Sequence, residues 1–150
     1  MSKIVKVEPM RFAGYPLKVR LGGENPFPKF WEEVFADGRH ERLQQLKGRC
    51  KADYGICIMH DEVNMDYVIA AALEEDAIVP DGLFACEIPG GEYLMVETTI
   101  ATLGEAWNQI TGWLDDNDYK IAHGTSFEFY DERMGQPEMK FDIYAPIVKK

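Results

Sequence analysis

Residues 4–8, Ile-Val-Lys-Val-Glu, alternate apolar and charged positions as a half-buried strand does, and Pro9 ends the run. A second strand is expected over 11–21, interrupted near Gly14 and Pro16, before the Gly22-Gly23 turn. Asn25 is placed to cap a helix, with Pro26 at its first position, where the missing N–H costs nothing. Phe27, Phe30, Trp31, Val34 and Phe35 then fall at i, i+3, i+4, i+7 and i+8, one wide apolar helix face. Asp37-Gly38 ends it, and 41–46 reads as a shorter helix. Two β-rich runs, 54–59 and 65–73, flank the polar stretch 60–64 and predict a hairpin. The acidic run 74–76 and the Val-Pro-Asp-Gly turn at 79–82 predict a linker around 74–81.

The order then repeats. Strands are expected over 83–88 and 92–98, with a turn at 89–91. Thr102 and Glu105 have the spacing of a capping box, in which each side chain satisfies a backbone N–H near the other. Leu103, Ala106, Trp107, Ile110 and Leu114 form the helical stripe that follows, and 115–118 ends it. Two last strands are expected over 127–130 and 141–148. Trp31 and Trp107 stand 76 residues apart in equivalent helices, and Met65 and Phe141 stand 76 apart in equivalent last strands. The pattern predicts an α+β fold made of two strand-strand-helix-strand-strand units, with antiparallel sheets, helices on one face and a ligand cleft between the halves. One domain over 1–150 is expected, its halves at about 3–73 and 82–148.

Composition narrows the function. At 150 residues with 46% hydrophobic positions, the chain can bury a real core. Its charge is 16 − 26 = −10, which disfavours nucleic acid and anionic lipid and favours a cationic small molecule or a basic protein partner. No apolar run approaches a membrane span, and charges stand where a signal peptide would be apolar. Cys50, Cys57 and Cys86 form no Cys-x-x-Cys pair and predict reduced, mostly buried thiols of a cytoplasmic protein. His40, His60 and His123 lack ligand spacing to them, so no metal and no cofactor is expected.

Chemistry concentrates near the end of the chain. In a strand over 126–131, Phe127 and Phe129 point one way and Glu128 and Tyr130 the other. In 141–145, Phe141, Ile143 and Ala145 oppose Asp142 and Tyr144. If the Phe and Ile faces pack on the helices, Glu128, Tyr130, Asp142 and Tyr144 share the other face. A carboxylate among tyrosines suits a flat cationic ligand, through stacking, cation–π attraction and charge neutralisation. Trp107, Trp113, Tyr93, Tyr54 and Met95 are further wall candidates. The bland alternatives are a solvated sheet face, with Glu128 paired to a Lys or Arg such as Arg11 or Arg133, and a Trp107 buried in the core.

The segments 8–14, 30–35, 88–93, 103–107, 113–114, 127–131 and 141–147, in this order and spacing, resemble the gyrase-inhibitor-like small-molecule-binding fold. That fold is also the effector-binding domain of multidrug-responsive AraC- and MerR-type regulators. The resemblance implies a pocket glutamate at Glu128 that meets cationic aromatic drugs, with Trp107, Tyr130 and Tyr93 as wall residues. With no helix-turn-helix in the chain, it implies a stand-alone binder in sensing or sequestration. Two alternatives follow from other members. One is a hydrolase that opens cyclopropane rings of DNA-alkylating natural products, with Glu128 as its catalytic residue. The other is a protein-binding regulator of the gyrase-inhibitor type.

Overall fold

The computed structural model describes residues 2–46 and 49–150, the side chains of 49–51 excepted, so Cys50 lies outside the described side chains. The elements are β1 (Ser2–Val7), β2 (Met10–Arg20), α1 (Phe27–Ala36), α2 (Arg39–Gln44), β3 (Arg49–Met59), β4 (Asn64–Leu73), β5 (Phe84–Ile88), β6 (Gly91–Thr98), α3 (Leu103–Asn117), β7 (Tyr119–Ile121), β8 (Thr125–Tyr130) and β9 (Phe141–Lys149). The fold is α+β. A large antiparallel sheet runs in the order β1-β6-β9-β8-β3-β4-β2-β5, and β7 pairs with the end of β9. Exchanging β1 with β5, β2 with β6, β3 with β8 and β4 with β9 turns this order into its own reverse.

Each strand's alternation distributes its residues between two cores. On one face, Leu94, Val96, Phe141, Ile143 and Ala145 pack beneath Ala106, Ile110 and Leu114 of α3. On that same face Val19, Met65, Tyr67 and Ile69 pack beneath Phe30 and Val34 of α1 and Leu43 of α2. The other face carries Phe12, Tyr54, Ile56, Val68, Ile88, Tyr93 and Phe127, with Val5 and Val7 against them. That cluster joins β1, at one end of the sheet, to β5, at the other, so the sheet curls around it. β4 is buried on both faces for nearly its whole length, which is why it reads as a continuous apolar run. Pro16 of β2 lies beyond the stretch that pairs with β5, so β2 is an edge on that side there, the setting in which a strand tolerates proline.

The local expectations are met in type and corrected in detail. The 60–64 segment joins β3 and β4 as an antiparallel hairpin, with Met59 opposite Met65. α1 starts one residue later than expected. Pro26 is its N-cap, and the Asn25 side chain accepts from Phe27 N–H at 3.1 Å. The capping box is three residues earlier than expected: Thr99 and Thr102 exchange the two bonds around a single 3-10 turn, and no Thr102 side-chain bond caps α3. Asp118, at φ 61°, ends α3 in the left-handed region, which Asp tolerates better than most residues. β7, too short for a periodic signal, was not expected.

One expectation about faces is overturned. The β8–β9 register sets Phe127 opposite Tyr144 and Glu128 opposite Ile143. Directly opposed residues share a face, so Glu128 and Tyr130 lie with Phe141 and Ile143 beneath the helices. Asp142 and Tyr144 lie with Phe127 and Phe129 on the other face. Alternation within a strand does not carry the phase between two strands. Only the register does.

The segment after β4 is held rather than loose. Arg11 Nη1 donates to the carbonyls of Glu74, Glu75 and Ala77 at 3.5, 2.6 and 2.9 Å, and Arg42 Nη2 donates to Asp81 O at 3.1 Å. Arg11→Ala is expected to cost about 1 kcal/mol, the scale of a partly solvated charged hydrogen bond. It should also speed cleavage after Glu74 or Glu75 by a glutamate-specific protease, while the distant hairpin at 60–64 is cut no faster.

Candidate functional site

Each main helix carries two stripes. On α1, Phe30 and Val34 face the sheet, while Phe27, Trp31 and Phe35, one turn apart, line a cavity. On α3, Ala106, Ile110 and Leu114 face the sheet, while Leu103 and Trp107 line the same cavity, with Ile100 just before the helix. The cavity is about 1110 Å³. Its floor is the sheet itself: Tyr67 of β4, Glu128 and Tyr130 of β8, Phe141 of β9. Met134 and Glu132 come from the 3-10 turn Glu132–Gly135, and Asn25, Gln44, Asp53 and Asp131 complete the polar rim. No lysine, arginine or histidine lines the cavity among the described residues.

Glu128 is the chemical centre. Its residue is 9% exposed. Tyr67 Oη and Tyr130 Oη each donate to its Oε1 at 2.6 Å. Trp31 Nε1 donates in turn to Tyr67 Oη at 2.8 Å, so a hydrogen-bonded chain runs from α1 to the carboxylate. The Trp31 ring meets Tyr130 edge-on at 5.2 Å and stacks on Phe35 at 5.9 Å, and Tyr130 lies 4.6 Å from Phe141. Among the described residues no Lys or Arg pairs with Glu128. Arg11 holds the 74–77 carbonyls, and Arg133 grips Asp142 through two bonds at 3.0 and 2.9 Å and also bonds Asp131 and Glu97. The other acids of the rim are partnered differently. Asp53 meets His40 Nε2 at 2.9 Å, and Asp131 meets Arg133 Nε at 2.8 Å.

Burial pushes the Glu128 carboxyl above its usual range, because desolvation disfavours the charged form; the two tyrosine hydroxyls pull it back only in part. Burial and the adjacent Glu128 charge push Tyr67 and Tyr130 upward, so both remain protonated donors. The arrangement is a desolvated negative charge whose partners among the described residues are hydroxyls, beneath indole and phenol rings. A cation placed over it gains both charge neutralisation and ring attraction.

The sequence-nominated residues divide in two. Glu128, Tyr130 and Trp107 line the cavity. Tyr54, Tyr93, Tyr144 and Met95 lie on the opposite face of the sheet. Tyr54 packs edge-on against Phe12 at 5.0 Å. Tyr93 donates to Pro89 O at 2.7 Å and packs on Phe127. Tyr144 stacks on Phe127 at 4.5 Å, and Met95 is its register partner on β6. Trp113 packs on Tyr119 at 5.2 Å, away from the cavity. Sequence reasoning missed Trp31 and Tyr67. Trp31 was absorbed into the apolar face of α1, although its 76-residue spacing to Trp107 marked it as an equivalent position. Tyr67 was visible as the one polar-tipped ring in an aliphatic strand.

The raised carboxyl carries a sign for stability. A group that binds its proton more tightly when folded contributes stability that falls as pH rises through the raised value. Glu128→Gln removes that loss. Its melting temperature relative to the native protein is therefore expected to rise as pH climbs above about 4, the ordinary glutamate value, and to level off once the folded carboxyl has ionised, as read by thermal denaturation. A difference that is constant with pH would contradict a carboxyl whose burial raises it.

The fold has known relatives. The structure of SAV2435 bound to tetraphenylphosphonium is similar at a TM-score of 0.80, with 15% identity over 99% of this chain and 94% of that one. An integron cassette protein of Vibrio cholerae, VCH_CASS2, is similar at a TM-score of 0.70, with 14% identity over 98% and 95%. At such identities the likeness is one of fold. In sequence, the transcriptional regulator BrlR of Pseudomonas aeruginosa is 26% identical over 103 residues, a match that spans 65% of this chain and 38% of the regulator's length. Residues 3–147 match the Cass2 family as a whole, and the chain belongs to these integron-associated effector binding proteins.

Proposed function

We propose that this chain binds hydrophobic cations with aromatic bodies in the α1–α3 cavity, with Glu128 neutralising the charge and Trp31, Trp107 and Tyr130 enclosing the rings. One observation carries the proposal: a buried carboxylate whose described partners are hydroxyls, at the floor of a ring-lined cavity with no basic residue among the described ones. The cation bound by SAV2435 is of this chemical class. The cavity volume exceeds what one such ion fills and leaves room for ligands of different shape, as a multidrug site requires.

The proposal extends to architecture. The self-reversing strand order supports two copies of a strand-strand-helix-strand-strand unit, at about 3–73 and 82–148. The cavity then lies between the two halves, with α1 and α3 as its matching walls. The described residues form no group of three or more metal-ligating side chains, and no described helix is long and apolar enough to cross a membrane. A cytoplasmic role in sensing or sequestration accords with this chemistry.

A hydrolytic role has one observation in its favour, the raised carboxyl of Glu128 beside two hydroxyl donors, which is what a proton-transfer residue needs. Mass spectrometry of a cyclopropane-bearing alkylator incubated with the protein would detect it as ring-opened product.

Binding of tetraphenylphosphonium, followed by tryptophan fluorescence, tests the main proposal against neutral triphenylphosphine oxide. A charge pair about 6 Å apart at an effective dielectric near 20 is worth roughly 2–3 kcal/mol, part of which is offset by relief of the buried charge. Glu128→Gln should therefore weaken the phosphonium about tenfold or more and leave the neutral compound nearly unchanged. Equal losses for both would overturn the assignment of Glu128.

A further inference from the structure

Tyr67 and Glu128 stand on strands that are not neighbours. β3 lies between β4 and β8, so the two backbones are separated by two strand spacings, about 9.5 Å. Their polar ends meet only by crossing over β3. At the crossing point stands Gly55, opposite Glu128 on one side and Ile69 on the other. A β-carbon built on Gly55 would overlap both Glu128 Oε1 and Tyr67 Oη and come within 2.9 Å of Tyr67 Cζ. Its backbone is not in the left-handed region, so it is space rather than φ that requires glycine here. Glycine inside a strand otherwise weakens it and commonly marks a close approach.

We infer that Gly55 is a positioning residue of the site, the notch over which Tyr67 and Glu128 join, and that it thereby controls how strongly the cavity holds a cation. The inference rests on the cation-binding role of Glu128 for its second half only. With any larger residue at 55, Tyr67 Oη and Glu128 Oε1 are driven apart. The carboxylate loses one of its two described donors, and Trp31 loses its polar anchor on the floor. Loss of a donor to the charged form favours the proton. Among the described residues, the other groups that face this carboxyl are few. β8 presents Tyr130, and β3 presents Cys57 and the His40-paired Asp53. The rim presents Arg133-paired Asp131 and exposed Glu132, while α1, α3 and β9 present Trp31, Trp107, Phe141 and Ile143, which do not titrate.

The test is a carbon-13 titration of the Glu128 side-chain carboxyl in the ligand-free protein, assigned by its absence in Glu128→Gln, with phosphonium binding measured in parallel. Gly55→Ala should raise the titration midpoint and weaken the phosphonium about tenfold near neutral pH, the scale of one lost charged hydrogen bond. Adding Tyr67→Phe to Gly55→Ala should move neither further, because the bond is already broken, whereas Tyr67→Phe alone moves both. An unchanged midpoint in Gly55→Ala, or shifts that add, would overturn the inference. If Gly55→Ala does not fold, its combination with Tyr67→Leu and Glu128→Ala, which removes every overlapped atom, should. Failure of both to fold would place the crowding elsewhere and sink the proposal. Because the titration needs no ligand, it stands even if the phosphonium does not bind.

Discussion

A single carboxylate, taken out of water with no counter-ion among the described residues, organises this cavity. Removing Glu128 from solvent is costly, and the fold offsets it with hydroxyl hydrogens from two different strands. Tyr67 and Tyr130 serve because their own ionisation is suppressed by the same burial. They donate and do not compete for the proton. The residual imbalance appears as the upward displacement of the carboxyl. The same imbalance is what a cation would relieve, so stability and binding draw on the carboxylate in opposite directions.

The curled sheet makes this placement possible. Its two faces have different tasks. One buries Phe12, Tyr54, Tyr93, Phe127 and Tyr144 against each other and closes the curl. The other face is covered by α1 and α2 at one side and by α3 at the other, and the cavity opens between them. α1 and α3 span one sheet without packing on each other through their inner stripes, so each can turn a second stripe of large side chains toward the cavity. Rings held this way keep few rotamers to lose when a ligand enters.

Most elements were legible from periodicity, because α1 and α3 carry strong stripes and the β3–β4 hairpin a clear polar interruption. The capping box and β7 were not. Thr99 offers its box partner at the same spacing as Thr102, and three residues carry no period. For the site, Glu128, Tyr130 and Trp107 were legible because alternation and helical spacing act within one element. Tyr144 was grouped with Glu128 because alternation leaves the phase between β8 and β9 open. It is the pairing of Glu128 with Ile143 that separates them. Tyr67 and Gly55 depend on a third strand lying between two others, which no local pattern encodes.

The symmetry of the sheet order sharpens how the site differs from its surroundings. Trp31 and Trp107 both line the cavity, from α1 and α3, yet of the two it is Trp31 that donates to a tyrosine that donates to the carboxylate. The charge is thus coupled to one wall and not to the other. A cation that shifts the Glu128 carboxylate must disturb Tyr67, and through it the indole of α1, while α3 feels the ligand only through ring contact. The cavity has one polar, hydrogen-bonded side, which on the proposed binding role would sense a ligand's charge. Its other side is apolar and on the same reading would accommodate the ligand's shape. Under the proposed role, that division would make the cavity selective for charge and permissive for shape at once.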